Sequence, residues 1–149
     1  MSVETIREKF QFFQTLSLQE CEDFLKFCEP TRVDAGKMLW EEGDEDNFAA
    51  FILNGKLGIK KRTEFGGRHV IVGVYAPGSV VGELCLLTQN PRSVTAEVIE
   101  ATDALVLHSE NFENMLREFP MLGLSLLRHI FLATSKRLTK SYERIASMF

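Results

Sequence analysis

The chain has 149 residues, 45% of them hydrophobic, and a formal net charge of −4 at pH 7. This length predicts a single globular domain, residues 1–149, that can bury a hydrophobic core. The acidic balance disfavours direct contact with the DNA or RNA backbone. No segment approaches the roughly 20 apolar residues of a membrane span, and no signal-peptide pattern opens the chain. We therefore expect a cytoplasmic protein without a membrane partner.

The cysteines and histidines form no pattern typical of metal binding or catalysis. Cys21, Cys28 and Cys85 are an odd number without CxxC spacing, which argues against a disulfide framework and against a zinc site. The histidines are also far apart: His69, His108 and His129. A cupin-like β-barrel enzyme would need clustered histidines as metal ligands. We therefore predict no catalytic residue, no metal and no cofactor.

Two short helices are predicted in residues 1–30. Apolar residues recur at helical spacing from Glu4 to Phe27. The segment 15–17 interrupts this pattern, and Ser17 is a suitable cap for the second helix. Pro30 ends the helical region, because the residue before a proline is disfavoured in the α conformation.

Residues 31–109 predict a run of short antiparallel strands. From Val33 to Ser109 the apolar pattern changes to every second residue, and turn signals interrupt it. These signals are Ala35-Gly36, Glu42-Gly43-Asp44, Asn54-Gly55, Phe65-Gly66-Gly67, Pro77-Gly78 and Asn90-Pro91. Many short strands have to close on themselves to hide their edges. We therefore predict a mainly β fold, a jelly-roll-like β-roll or double-stranded β-helix, with flanking helices.

Residues 110–149 return to helical spacing. One helix is predicted from Asn111 to Phe119, and a long helix begins at Pro120, since proline is well tolerated in a first turn. Eight of its positions, six of them apolar, lie alternately three and four residues apart, like the a/d seam of a coiled coil. The seam consists of Leu124, Leu127, Phe131, Thr134, Leu138, Ser141, Ile145 and Met148. We therefore expect a homodimer through this C-terminal helix.

The basic residues of the long helix lie outside this seam. They are Arg128, His129, Lys136, Arg137, Lys140 and Arg144. The favoured interpretation is a solvated cationic face, which suits the negative end of a helix dipole. The alternative is a basic patch for an acidic partner or a phosphate group.

The segment 77–98 is the most informative for chemistry. It predicts a strand, a glycine turn, one helical turn from Glu83 to Leu87, a loop, and a strand that begins at Arg92. A helix that starts at Gly82 directs unpaired backbone N–H groups toward an anion, and the Arg92 guanidinium matches two phosphate oxygens. Glu83 fits there only if its carboxylate accepts a hydrogen bond from a neutral hydroxyl. A sugar phosphate meets both demands.

This segment resembles the phosphate-binding cassette of the cyclic-nucleotide-binding domain family. That family includes catabolite-activator-type regulators, regulatory subunits of kinases and gated channels. The resemblance extends to residues 35–44, to residues 51–60 and to the helix that contains Phe112. It implies that Glu83 binds the ribose 2′-hydroxyl and that Arg92 pairs with the cyclic phosphate.

The same resemblance implies the remaining ligand contacts. The backbone amides of Leu84 and Cys85 and the hydroxyl of Ser93 would contact the phosphate. Val72 and Val81 would form an apolar wall around the ribose and base, and Arg137 of the long helix would cap the base. The full set is Gly82, Glu83, Leu84, Cys85, Arg92, Ser93, Val72, Val81 and Arg137. The sequence departs from the family at Ser79, where aspartate is frequent, and at Cys85, where alanine or glycine is usual.

We therefore predict a regulatory module that binds cyclic AMP or cyclic GMP and signals through its C-terminal helix to an unidentified protein partner. The alternative is a ligand-free interaction or dimerisation module with the same fold. Catabolite-activator-type regulators carry a helix-turn-helix domain after the long helix, whereas this sequence ends at Phe149. Direct DNA binding is therefore not expected.

Overall fold

The computed structural model describes residues 2–149, in which helices flank a run of β-strands. The helices before the strands are α1 (Val3–Lys9), α2 (Gln11–Gln14) and α3 (Leu18–Leu25). The strands are β1 (Glu29–Val33), β2 (Met38–Trp40), β3 (Phe48–Arg62), β4 (His69–Tyr75), β5 (Val80–Val81) and β6 (Thr95–His108). A 3-10 helix (Glu83–Leu86) precedes β6, and α4 (Ser109–Glu118) and α5 (Pro120–Ala146) end the order of elements.

The strands of the described residues form one antiparallel sheet that curls into a β-roll. The long strands β3 and β6 pair from Phe48 opposite His108 to Lys60 opposite Thr95. β1 and β2 pair with β6, whereas β4 and β5 pair with β3. The predicted β-roll with flanking helices is confirmed.

Both faces of the central strands are buried, because they face two different hydrophobic clusters. Phe51 packs with the helices, and Ile52 faces the interior of the roll. The helix-side cluster is rich in phenylalanine: Phe10, Phe12, Phe13, Phe24, Phe51 and Phe112. Phe13 and Phe24 meet edge to face, with ring centroids 5.2 Å apart, a geometry that aromatic pairs favour. The N-terminal helices are thereby fixed to the back of the roll.

The N-terminal helical region has three segments instead of the two predicted. Phe10 has extended backbone angles, φ −124° and ψ 119°, and separates α1 from α2. Its side chain is buried in the helix-side cluster, so packing overrides the continuous helical pattern. The predicted cap at Ser17 is present: its hydroxyl accepts from the Glu20 amide, and the Glu20 carboxylate accepts from the Ser17 amide, both at 3.1 Å.

The predicted turn at Asn54-Gly55 is an irregularity inside the continuous strand β3. Gly55 has a φ of +95°, and a Cβ atom there would lie 2.4 Å from the Thr102 hydroxyl oxygen on β6. The pairing register shifts at this point, so glycine lets the two long strands bend together. The glycines of the predicted Phe65-Gly66-Gly67 turn do connect β3 to β4.

The long helix α5 begins at Pro120, as predicted, and only its first half packs on the roll. Leu122 and Leu126 are buried, and Ile130 is half-buried against the helix-side cluster. From residue 138 to residue 149 every side chain is exposed. Within residues 2–149, no helix combines the length and the hydropathy that crossing a membrane requires.

Candidate functional site

A cavity of about 290 Å³ opens beside the 3-10 helix, at one end of the roll interior. We call it the cassette cavity. It brings together seven of the nine predicted contact residues: Val81, Gly82, Glu83, Leu84, Cys85, Arg92 and Ser93. Trp40 and Tyr75 also line it and were not predicted as contact residues. Both lie in predicted strands, and no local pattern distinguishes them from ordinary core residues.

The Arg92 guanidinium is buried and held on three sides. Its Nε donates to Asp46 Oδ1 and its Nη2 to the Phe48 carbonyl, both at 2.6 Å. The guanidinium carbon also lies 3.7 Å from the centroid of the Trp40 ring, a distance at which a cation and an aromatic face attract each other. Arg92 precedes β6 instead of beginning it. Its orientation therefore comes from these contacts and not from strand geometry.

Gly82 allows the backbone to approach this guanidinium closely. It has a φ of +73°, and a Cβ atom there would lie 2.5 Å from Arg92 Nη1. Nη1 has one weak contact, 3.4 Å from the Gly82 carbonyl oxygen. Nη1 therefore retains hydrogen-bonding capacity beside the cavity.

The 3-10 helix places further backbone donors beside Arg92. Among residues 2–149, the amides of Glu83 and Leu84 have no hydrogen-bond acceptor, whereas the Cys85 amide donates to the Gly82 carbonyl at 3.2 Å. The amide of Leu84 is thus available for the predicted phosphate contact, and that of Cys85 is already engaged. Burial raises the pKa of the Cys85 thiol, which keeps it protonated at neutral pH.

Glu83 joins the cassette cavity to the long helix through Arg137. Arg137 Nη2 donates to Glu83 Oε1 at 2.8 Å, and Nη1 donates to the Tyr75 hydroxyl. Burial lowers the pKa of Arg137, but the charge of Glu83 and the hydrogen bonds to Glu83 and Tyr75 outweigh it, so the pKa is raised. Arg137 does not line the cassette cavity itself. In this structure it reaches the cavity through the carboxylate of Glu83.

Val72 does not line the cassette cavity, so the position of this side chain differs from the prediction. Ile59 pairs with Gly73, and Lys60 pairs with Ile71. Val72 is therefore the extra residue of a β-bulge, and its side chain is 57% exposed. The apolar wall of the cavity is instead formed by Val81, which was predicted, and by Ile59.

The fold and these residues agree with a comparison of the sequence with known families. The sequence model of the cyclic nucleotide-binding domain matches residues 30–119, which include the whole cassette. The chain belongs to this family. The residues that line the cassette cavity, Glu83 and Arg92 among them, all lie within the matched range.

The curated relatives are mostly longer proteins. The chain is 27% identical over 114 residues to the cyclic AMP receptor protein of Thermus thermophilus, covering 76% of this chain and 52% of that protein. It is 30% identical over 99 residues to lysophospholipase NTE1 of Chaetomium globosum, covering 66% of this chain and 6% of that enzyme. The chain thus spans about half of the first relative and a small part of the second.

Solved structures share the architecture. A cyclic nucleotide-binding domain from Methylobacillus flagellatus has a TM-score of 0.88 at 21% identity and covers 99% of this chain and 85% of that one. The catabolite activator protein of Thermus thermophilus has a TM-score of 0.75 at 25% identity, covering 91% and 62%. The regulatory domain of Toxoplasma gondii PKA, solved with cAMP, has a TM-score of 0.63 at 26% identity, covering 75% and 42%.

The contacts of Arg92 predict a structural cost of its removal in the absence of ligand. Arg92→Ala leaves the Asp46 carboxylate and the Phe48 carbonyl without their donor, and we expect it to lower the free energy of unfolding by about 3 kcal/mol. Arg32 is a matched control, because it pairs with Asp103 at 2.9 Å while its side chain is 62% exposed. Arg32→Ala should cost less than about 1 kcal/mol. Urea denaturation of both variants measures the difference, and equal losses would contradict the role assigned to Arg92.

Proposed function

We propose that the chain is a regulatory module that binds a cyclic nucleotide monophosphate in the cassette cavity. One observation carries the proposal: the guanidinium of Arg92, the unpaired amides of Glu83 and Leu84, and the Glu83 carboxylate border one cavity. The N–H donors suit an anion, and the carboxylate acceptor suits a neutral hydroxyl. A structure of the Toxoplasma gondii PKA regulatory domain with cAMP, 26% identical, supports the same assignment.

The phosphate is assigned to the side of the cavity that holds Arg92. There Nη1 and the Leu84 amide supply N–H donors, and Ser93 can add a hydroxyl. Asp46 holds Nε of the same guanidinium at 2.6 Å, so this carboxylate positions the arginine without reaching the ligand. A donor held in place before binding loses little entropy when the ligand arrives.

The ribose and base are assigned to the opposite side, beside Glu83 and Tyr75. One Glu83 oxygen is engaged by Arg137, and the second remains for the 2′-hydroxyl. Val81 and Ile59 supply apolar surface, and Tyr75 supplies an aromatic ring. Arg137, which already bonds both polar groups at this edge, is our candidate for the residue that closes over the base.

A second function is compatible with one feature of the site. Both key charges already have protein partners, Asp46 for Arg92 and Arg137 for Glu83. The pocket is therefore electrostatically satisfied without a ligand, as a ligand-free interaction module would require. Titration of the wild-type chain with cyclic AMP and cyclic GMP separates the two functions, since a ligand that binds the native state raises its melting temperature.

The Arg92 contact predicts the effect of a conservative change on that titration. Arg92→Lys retains the positive charge but loses the planar fork, and we expect cyclic nucleotide affinity to fall at least about tenfold, the effect of one charge-assisted hydrogen bond. Arg32→Lys makes the same change at a surface ion pair and should leave the affinity unchanged. Calorimetric titration measures both variants. An unchanged affinity in Arg92→Lys would contradict the assignment of the phosphate to this arginine.

The Glu83 contact predicts a dependence on the ribose hydroxyl. Glu83→Ala should weaken binding of cyclic AMP by at least about tenfold, the value of a hydrogen bond to a charged acceptor. It should leave the affinity for the 2′-deoxy analogue nearly unchanged, because that ligand lacks the donor. Parallel calorimetric titrations provide the comparison. A similar loss for both ligands would show that the substitution acts through Arg137 or through the loop instead.

We also propose that the module signals by homodimerisation through α5. Most seam side chains are exposed in the described chain, among them Phe131 at 71% and Leu138 at 50%. Next to them, Leu84 and Leu87 of the cassette and Leu124 of α5 line one apolar groove. A second copy that covers the seam would therefore contact the cassette as well, which would link dimer geometry to ligand occupancy.

Substitution of exposed seam residues tests this dimer. Leu127 is half-buried against the core, so its replacement would mix folding with assembly, and Phe131→Ala with Leu138→Ala is the cleaner pair. We expect this double variant to sediment as a monomer where the wild type is a dimer, since it removes two apolar seam contacts. Phe65→Ala is the control, because Phe65 is 87% exposed and lies outside α5. A monomeric wild type, or a dimer unaffected by the double variant, would contradict the proposal.

A further inference from the structure

A second cavity lies on the other side of Glu83 and Tyr75. It has a volume of about 310 Å³ and opens between the turn that precedes β5 and one face of α5. We call it the basic cleft, and its polar lining consists of Gln11, Tyr75, Ser79, Glu83, His129, Lys136, Arg137 and Lys140. Because Tyr75 and Glu83 line both cavities, the basic cleft adjoins the cassette cavity without being part of it.

The basic cleft has an excess of positive charge that the protein does not neutralise. Its single carboxylate, Glu83, is paired with Arg137. Among residues 2–149, Lys136 and Lys140 make no salt bridge and no side-chain hydrogen bond. These two lysines lie four residues apart on one helix face, where like charges destabilise each other. The whole chain, in contrast, has a net charge of −4.

The dipole of α5 does not account for this cluster. That effect is confined to the last turn of a helix, and α5 continues to Ala146, well beyond Lys136 and Lys140. Arg144 of the last turn and Arg128 both lie outside the basic cleft. Burial, followed by the charge of Lys136, lowers the pKa of the nearby His129, which agrees with a positive field in this cavity. The cations converge on a concave site instead of being spread around the helix.

We propose that the basic cleft binds a phosphate group, distinct from the phosphate assigned to Arg92. Lys136 and Lys140 supply ammonium donors, and the Ser79 hydroxyl, which makes no hydrogen bond within residues 2–149, supplies a neutral one. Two kinds of ligand could supply this phosphate group. It is either a free anion such as pyrophosphate or the second phosphate of a cyclic dinucleotide that spans both cavities. The dinucleotide form rests on the proposed function of the cassette cavity, whereas the free-anion form does not.

Pyrophosphate titration of the whole chain tests the cleft directly. Calorimetry at constant ionic strength compares the wild type with the double variant Lys136→Gln and Lys140→Gln, both at exposed positions where the fold should tolerate the change. We expect at least about a tenfold loss of affinity, since two charge-assisted contacts are removed. The control, Arg128→Gln with Arg144→Gln, removes the same charge from the same helix at exposed positions outside the cleft. It should change the affinity less than about twofold, as expected for screened surface charges.

The same variants distinguish the source of the phosphate and the two sites. If the dinucleotide is the ligand, the lysine variant should bind a cyclic dinucleotide more weakly and cyclic AMP unchanged. If a free anion is the ligand, only pyrophosphate binding should fall. Arg92→Lys should lose nucleotide affinity and retain pyrophosphate binding. If the wild type binds pyrophosphate but no nucleotide, the proposed function is contradicted and the cleft proposal is supported. The cleft proposal is overturned if the wild type binds neither pyrophosphate nor a cyclic dinucleotide, or if Arg128→Gln with Arg144→Gln weakens their binding as much as the lysine variant.

Discussion

The buried guanidinium of Arg92 is the constraint on which the geometry of the site depends. A charge at this depth is unfavourable unless it is paired and hydrogen-bonded, and here Asp46, the Phe48 carbonyl and the Trp40 ring meet that requirement. These partners belong to β2, to the loop before β3 and to β3 itself. The pairing therefore fixes three parts of the roll against the loop before β6. It also leaves Nη1 with only a weak contact, to the Gly82 carbonyl oxygen, so the fold sets the position of this donor before any ligand is present.

A second charged pair connects this fixed site to the part of α5 that lies beyond its apolar packing. Arg137 bonds Glu83 and Tyr75 from α5, beyond the point where the apolar packing of that helix ends at Ile130. The polar contact is thus the last attachment between α5 and the roll in the described structure. Its strength is moderate, because the Arg137 side chain is 40% exposed and water competes with such pairs. A ligand that engages the second oxygen of Glu83 would lie beside this contact. It would shift α5 only if it bound more tightly to one position of the helix than to another.

The local features of the sequence predict the fold and half of the site. Period-two spacing predicts the strands, Pro120 predicts the start of α5, and the spacing of Glu83 and Arg92 predicts that both border one cavity. The partners of these residues could not be predicted, because Asp46 and Arg92 are 46 positions apart in the chain and no local pattern relates them. The same limit applies where packing overrides a local signal. Phe10 interrupts a helical pattern to fill the core, and the bulge at Val72 moves that side chain out of the cavity.

Beyond Ile130, the position of α5 depends on the balance of charge around Arg137. One helix face presents Lys136, Arg137 and Lys140 to the cleft, and Glu83 is the only carboxylate that faces them there among residues 2–149. Adding a phosphate to the basic cleft would give Arg137 a second anionic partner and reduce repulsion among the three cations. Adding a ribose hydroxyl would occupy the free oxygen of Glu83 and leave its pair with Arg137 in place. The phosphate would therefore act on Arg137 directly, whereas the ribose hydroxyl would act on it only through Glu83.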